Sequence, residues 1–298
     1  MTELLQLCFA GLALGSRYAL VALGFVVIFK ATGVINFAQG GFVLFGAYMT
    51  YNASRTWDVP FYLAIVVAMV FGALLGSVVE RVILRRMVGE PVFAVIMITI
   101  GLLFVLDQVV TTIWGFNALN LDDPWTGESI ETGGLVFTAK DLWTIGLTAL
   151  VLGGFFVFFR YSRVGVAMRA TALDAEAALA QGIGARQIYA LSWAIAGVIA
   201  AVAGVTLAAG RVEVEPSIGF VALAAFPAMI VGGLDSPAGA VVGGLIIGLV
   251  QVLTAGYQPD WFPWLGDGFD QVMPYLVMVL ILLVRPYGLL GTKEVRRV

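Results

Sequence analysis

Arg17 and Asp107 are the two ionisable side chains that fall inside long apolar runs of this 298-residue chain. A charge in hydrocarbon costs at least about 2.5–3.5 kcal/mol, so each must face a wet cavity or a partner. Two readings follow. One or both line a path through the apolar layer, with Arg17 attracting a carboxylate on a passing solute. Alternatively, an Arg17–Asp107 pair ties two helices together, or the side chains snorkel to the surface. A second polar group, Asn36 and Gln39, stands among Gly33, Gly40, Gly41 and Gly46. Broken backbone at membrane depth is tolerated only where it is buried or lines water. This group therefore either belongs to the same path, near one mouth, or is a polar clamp in close helix packing. Bond-making chemistry has little to work with. The chain has no histidine, which excludes a Ser-His-Asp triad, a Cys-His pair and any His-ligated metal. The single Cys8 excludes an internal disulfide and a Cys-cluster zinc site. Lys30, Lys140 and Lys293 sit at the ends of apolar runs, away from any intramembrane Ser-Lys dyad.

The elements that hold these side chains follow from composition. Hydrophobic residues make up 61% of the chain and charged residues 12%, where soluble chains carry about 25% charged. One crossing takes about 20 apolar residues. Nine candidate spans result, at roughly 6–29, 34–52, 59–79, 92–114, 141–159, 187–209, 218–234, 238–256 and 272–285. The expected fold is an all-α polytopic membrane protein of about 8–9 transmembrane helices, including broken or re-entrant segments, as a single domain over 1–298. Residues 218–256 are two short spans or one re-entrant hairpin, and Pro227 is expected to kink the seventh run. Glu3 and the lack of a basic n-region or cleavage site make the first run a span, not a removed signal peptide. Gly11/Gly15, Gly72/Gly76, Gly239/Gly243 and Gly244/Gly248 have GxxxG spacing, a device for close helix crossing.

Orientation follows from lysine and arginine. Lys30, Arg81, Arg85, Arg86, Arg160, Arg163, Arg169, Arg186, Arg285, Lys293, Arg296 and Arg297 fall in one set of loops; only Arg55, Lys140 and Arg211 fall in the other. Acidic residues such as Asp122, Asp123, Glu213, Glu215, Asp260 and Asp270 favour the second set. The C-terminus is therefore expected in the cytoplasm and, with nine spans, the N-terminus outside. The longest outer connection, about 115–140, has room for a short helix or hairpin around Trp125. The longest inner one, about 160–187, contains Arg169-Ala170-Thr171-Ala172-Leu173-Asp174-Ala175-Glu176-Ala177-Ala178-Leu179-Ala180-Gln181-Gly182. Alanine favours helix and Gly182 stops it, so a cytoplasmic surface helix is expected over 169–182. It is either a plain linker or a docking helix, whose small side chains admit close approach and whose Arg169, Asp174 and Glu176 can be read by complementary charges.

Glu176-Ala177-Ala178 followed by Gly182 resembles the cytoplasmic EAA signature of ATP-binding-cassette importer permeases; the usual downstream Ile-x-Leu-Pro is absent. Gly15-Ser16-Arg17-Tyr18-Ala19-Leu20 and Gly33-Val34-Ile35-Asn36-Phe37-Ala38-Gln39-Gly40 resemble the opening of branched-chain amino-acid permeases of the LivH type. So do Val79-Glu80-Arg81, residues 162–182, Gly232-Gly233-Leu234-Asp235-Ser236-Pro237-Ala238-Gly239-Ala240 and Arg285-Pro286-Tyr287-Gly288-Leu289-Leu290-Gly291. The matches run the length of the chain in order. Arg17 stands where the family usually has a small or apolar residue, Asp235 where it often has Gly, and Ala224 where Lys is common.

The resemblance implies a permease subunit of an importer in the bacterial inner membrane, moving branched-chain amino acids or related small polar solutes (urea, amides, carboxylates). It implies ABC ATPase subunits as partners, docked through Arg169, Asp174, Glu176, Ala177, Ala178 and Gly182. A second homologous permease and a soluble solute-binding protein complete the assembly. The chain has no phosphate-cradling loop of its own, since Phe29, Ala139 and Thr292 precede the three lysines. No cofactor is expected on it, and ATP and magnesium belong to the partner ATPase. An ion-driven transporter would want more intramembrane carboxylates than Asp107 and an internal inverted repeat, and no self-similarity joins the halves.

Overall fold

With no water to satisfy the backbone, an apolar run in hydrocarbon closes its own hydrogen bonds as a helix. The computed structural model describes residues 2–132, 135–209 and 214–292. Arg211, Glu213, Lys293, Arg296 and Arg297, counted in the charge bias, lie outside them. Six helices among the described residues are long and apolar enough to cross a membrane. They are α1 (Thr2–Thr32), α3 (Phe61–Val82, prolonged by a 3-10 turn to Met87), α4 (Val92–Trp114), α5 (Ala139–Tyr161), α8 (Ala185–Ala208) and α11 (Pro237–Trp261). Shorter helices complete the bundle: α2 (Gln39–Tyr51), α6 (Arg163–Leu173), α7 (Ala175–Ala180), α9 (Ile218–Val221), α10 (Phe226–Gly232) and α12 (Met273–Val284).

Two of the expected spans are therefore shorter or more broken than the sequence reading has them. The second, at 34–52, begins only at Gln39, because residues 33–38 turn the chain: Gly33 takes φ +71° and Asn36 Oδ1 accepts from Ala38 N–H at 3.0 Å. The seventh is segmented into α9, a 3-10 turn and α10. Pro227 does not kink it. It lies in the first turn of α10, where a missing N–H costs nothing. Over 218–256 the segmented descent meets the full-length α11 at the turn before Pro237.

α1 and α8 are mostly buried, whereas α3, α4, α5 and α11 turn most of their surface outward. Val66, Val70, Phe104, Leu150 and Val157 on those outer faces suit lipid. Every GxxxG pair is a crossing point. A Cβ on Gly248 would lie 2.2 Å from the backbone nitrogen of Gly15, and one on Gly244 2.5 Å from that of Ala19, so α11 runs antiparallel against α1 nearly backbone to backbone. Gly72 meets Gly197 and Gly76 meets Trp193 where α3 crosses α8, and Gly239 meets Gly232.

These contacts give the bundle two chemically different ends. At one, Lys30 Nζ donates to the Asp235 carbonyl at 2.8 Å, and Arg81, Arg85, Arg86, Arg160 and Arg186 terminate or begin their helices. The other holds Asp141, Asp270, the Arg55–Asp122 ion pair and the antiparallel hairpin β1 (Ser129–Thr132) with β2 (Leu135–Thr138). Trp125 is buried there, stacked on Trp143 at 5.6 Å, so the connection between α4 and α5 carries a hairpin beside stacked aromatic rings.

Candidate functional site

At the basic end, α5 leads into α6 and α7 before the chain re-enters as α8. Ser162 caps α6 by accepting from Gly165 N–H at 2.8 Å. One continuous helix over 169–182 is not what forms. Asp174 breaks it with extended backbone (φ −158°, ψ 105°), and its Oδ1 accepts from the N–H groups of Glu176 and Ala177 at 3.0 and 2.9 Å. A short carboxylate satisfies exposed N–H groups at a helix start better than a helix interior uses it, so it outcompetes the alanines around it. Gly182, at φ +83°, ends α7: its N–H donates to Leu179 and the N–H of Ile183 to Ala178, both backward onto the last turn. Arg169 turns back to the C-terminus of α5, donating to the carbonyls of Phe159 and Arg160, with its guanidinium over the Phe159 ring. Asp174, Glu176, Ala177 and Gly182 remain exposed, and Ala178 is buried. Sequence reasoning missed the apolar members of this surface: Leu173 is 89% exposed and Leu179 63%. Their signal was a leucine on each side of a helix-capping Asp.

Cavities at the two ends of the bundle hold the polar side chains singled out above. The basic-end cavity, of about 270 Å3, is lined by residues of the α1–α2 turn, the end of α3, the start of α4 and the start of α8. Asn36 stands on its wall, 1% exposed, with no hydrogen-bond partner for its Nδ2 among the described residues. Glu80, also 1% exposed, lines it too and is held by Arg85 Nη2 at 2.9 Å. Gln39 is not on this cavity. It packs against α1, where a Cβ on Gly24 would meet its amide at 2.0 Å. The structure thus separates the pair, Asn36 on a cavity wall and Gln39 in a helix contact.

Arg17 and Asp107 do not pair. α1 packs on α5, α8, α10 and α11, while Asp107 belongs to α4, which packs on α2. Arg17 Nη2 instead donates to Asp141 Oδ1 at 2.8 Å, at the start of α5. With both side chains largely buried, removing either partner is costly. Asp141→Ala is expected to lower stability by about 3 kcal/mol, and adding Arg17→Ala should restore part of it. Thermal unfolding in detergent measures this; a single variant that melts with the wild type would show that the pair contributes nothing. Asp107 keeps a buried Oδ1 with no hydrogen-bond partner among the described residues.

The acidic-end cavity, of about 540 Å3, is bounded by α1, the last turn of α8, α9, α11 and the entry to α12. Arg17 and Ala224 both line it. Asp235 is a clamp: its Oδ1 accepts from Thr292 N–H at 3.1 Å and its other oxygen from the Thr292 hydroxyl, while Leu289 and Leu290 N–H donate to Val231 and Gly232.

Apolar helices crossing backbone to backbone, six of them long and apolar enough to cross a membrane, make this a multi-pass α-helical membrane protein. Residues 7–283 match the family described as branched-chain amino acid transport system, permease component, and the chain belongs to that family. It is 32% identical to the high-affinity branched-chain amino acid transport system permease protein LivH of Salmonella typhimurium, covering 99% of this chain and 97% of that one. It is 31% identical to the high-affinity branched-chain amino acid transport system permease protein BraD of Pseudomonas aeruginosa, over 99% and 98%. A nucleoside ABC transporter permease protein, NupB of Lactococcus lactis, is 26% identical over 82% of this chain and 71% of its own.

Proposed function

We propose that the chain is the membrane-spanning permease subunit of an ATP-driven importer, sitting in the bacterial inner membrane with its basic end in the cytoplasm. The observation that carries this is the α6–α7 segment: a capped, two-helix knob at the basic end, offering Leu173, Glu176 and Leu179 to a partner. ABC ATPase subunits dock there. Closing of the ATPase pair on ATP would displace α6 and α7, and with them α5 and α8, shifting the bundle between outward-open and inward-open states. A second homologous permease completes the pore and a soluble binding protein delivers cargo to the acidic end. The named relatives make branched-chain amino acids the leading cargo, with related small polar solutes next. In this reading nine crossings are made, with α2, the 218–232 descent and α12 as the short ones.

The chain should be expressed with its chromosomal neighbours and purified through a tag. Stoichiometric recovery of a Walker-motif ATPase is expected, and Glu176→Lys should reduce it at least tenfold without altering the permease yield. A protein that purifies alone, with uptake abolished by a protonophore, would replace this reading with ion-driven transport.

A further inference from the structure

The side of α4 turned away from α2 has a composition that lipid does not explain. Every exposed residue of α3 from Leu63 to Val78, and of α5 from Leu142 to Val157, is apolar. On α4, Gln108 and Thr112 are exposed, in one stripe with Met97, Gly101 and Val105. At about 100° per residue these positions share roughly one quarter of the helix circumference. They lie opposite the buried face, where Leu106 meets Gly41 of α2. Gln108 stands about 8 Å along the axis from Leu103, the middle of α4. That is well inside a hydrocarbon layer of about 30 Å. Its Nε2 donates to Thr112 Oγ1 at 3.2 Å, and the Thr112 hydroxyl donates to the Gln108 backbone carbonyl at 2.7 Å. A side-chain amide has two N–H groups and two acceptor positions, more than this bond uses. Lipid tails can satisfy none of the rest. Gly101 bares the backbone on the same stripe, since a Cβ there would meet nothing within 4 Å.

An amide, a hydroxyl and a bare glycine on one stripe are the means by which membrane helices hold one another. We propose that this stripe of α4 is where the second permease packs, span against span, with the Gln108 amide bonded across the interface. The proposal rests on the importer reading above and says which face of this chain meets that partner. Because an amide both donates and accepts, the stripe is self-complementary. The α4 counterpart of a related chain can therefore lie against it about a twofold or pseudo-twofold axis. The outward faces of α3 and α5 are left to lipid.

The test uses the full chain expressed with its chromosomal neighbours. The photo-crosslinker p-benzoylphenylalanine is placed at Val105 or, as a control, at Val70 on α3, two positions of similar exposure. After irradiation in the membrane, the Val105 adduct should be a second permease polypeptide, and the Val70 adduct should be lipid. Gly101→Trp fills only space outside this chain, so the protein should fold and stay monodisperse. Recovery of the second permease should nevertheless fall at least tenfold. Gly153→Trp, equally open but on α5, should leave that recovery unchanged. Gln108→Leu should lower it about threefold, the average worth of one hydrogen bond between membrane helices. A Val105 adduct with lipid, ATPase or binding protein in place of a permease would overturn the assignment. So would full recovery of the second permease with Gly101→Trp, and in each case the importer reading stands. An ATPase recovered with no second permease would overturn this inference and the paired pore, but not ATP-driven import. Recovery of neither would overturn the importer reading and this inference with it.

Discussion

Gly248→Val is expected to abolish accumulation of folded protein. A Cβ at 248 would lie 2.2 Å from the nitrogen and 2.3 Å from the Cα of Gly15, both backbone atoms that cannot swing aside. α1 and α11 would have to separate along a crossing that also buries Gly11, Gly15 and Gly244. Membrane helices associate through close van der Waals contact, not through expulsion of water, so a wider gap forfeits the attraction itself. Overpacking of this kind costs about 3 kcal/mol or more. Gly153→Val is the control, since a Cβ there meets open space. Size-exclusion profiles in detergent compare the two. A monodisperse Gly248→Val protein melting with the wild type would mean that the helices do not approach this closely.

Leu173→Asp should leave the permease folded and remove its ATPase. The side chain is 89% exposed, so the bundle loses almost no packing with it. It stands beside Asp174, whose cap holds α7 in place, and so projects from a rigid corner. A central apolar anchor in an interface is worth about 2 kcal/mol or more, roughly thirtyfold in affinity. Burying a carboxylate in the same pocket costs further. Leu150→Asp, exposed on the lipid face of α5, separates the two effects: it should impair insertion, where Leu173→Asp should not. Full ATPase recovery with Leu173→Asp would place the docking surface elsewhere.

Local features of the fold were readable from sequence because they depend on neighbours along the chain. Most of the apolar runs, the Gly182 stop and the GxxxG spacings appear where expected. Which surfaces meet was not readable. Arg17 and Asp107 look like partners because both stand inside apolar runs, yet the pairing depends on helix adjacency, and α5 rather than α4 lies beside α1. Asp141 escaped notice because it opens its span, where an acid passes for a boundary. The break at Asp174 was hidden by the alanines on both sides, although Leu-Asp-Ala-Glu carries the capping residue in view. The cavities are assembled from elements far apart in the chain, so Asn36 and Gln39 separate, and Arg17, Ala224 and Asp270 converge, for reasons no local pattern records.

The Arg17–Asp141 pair also constrains how the chain is made. Its members are 124 residues apart, and Tyr18 waits 233 residues for Gln251. At about 5–20 residues per second of synthesis, Arg17 stands in the insertion machinery for roughly ten seconds before the acid that pairs with it emerges, and longer before α11 closes over it. The helix destined for the centre of the bundle is thus the earliest made of its group and the last enclosed. During biogenesis it needs a temporary host, and slowing translation between α1 and α5 should lengthen its exposure to membrane quality-control proteases.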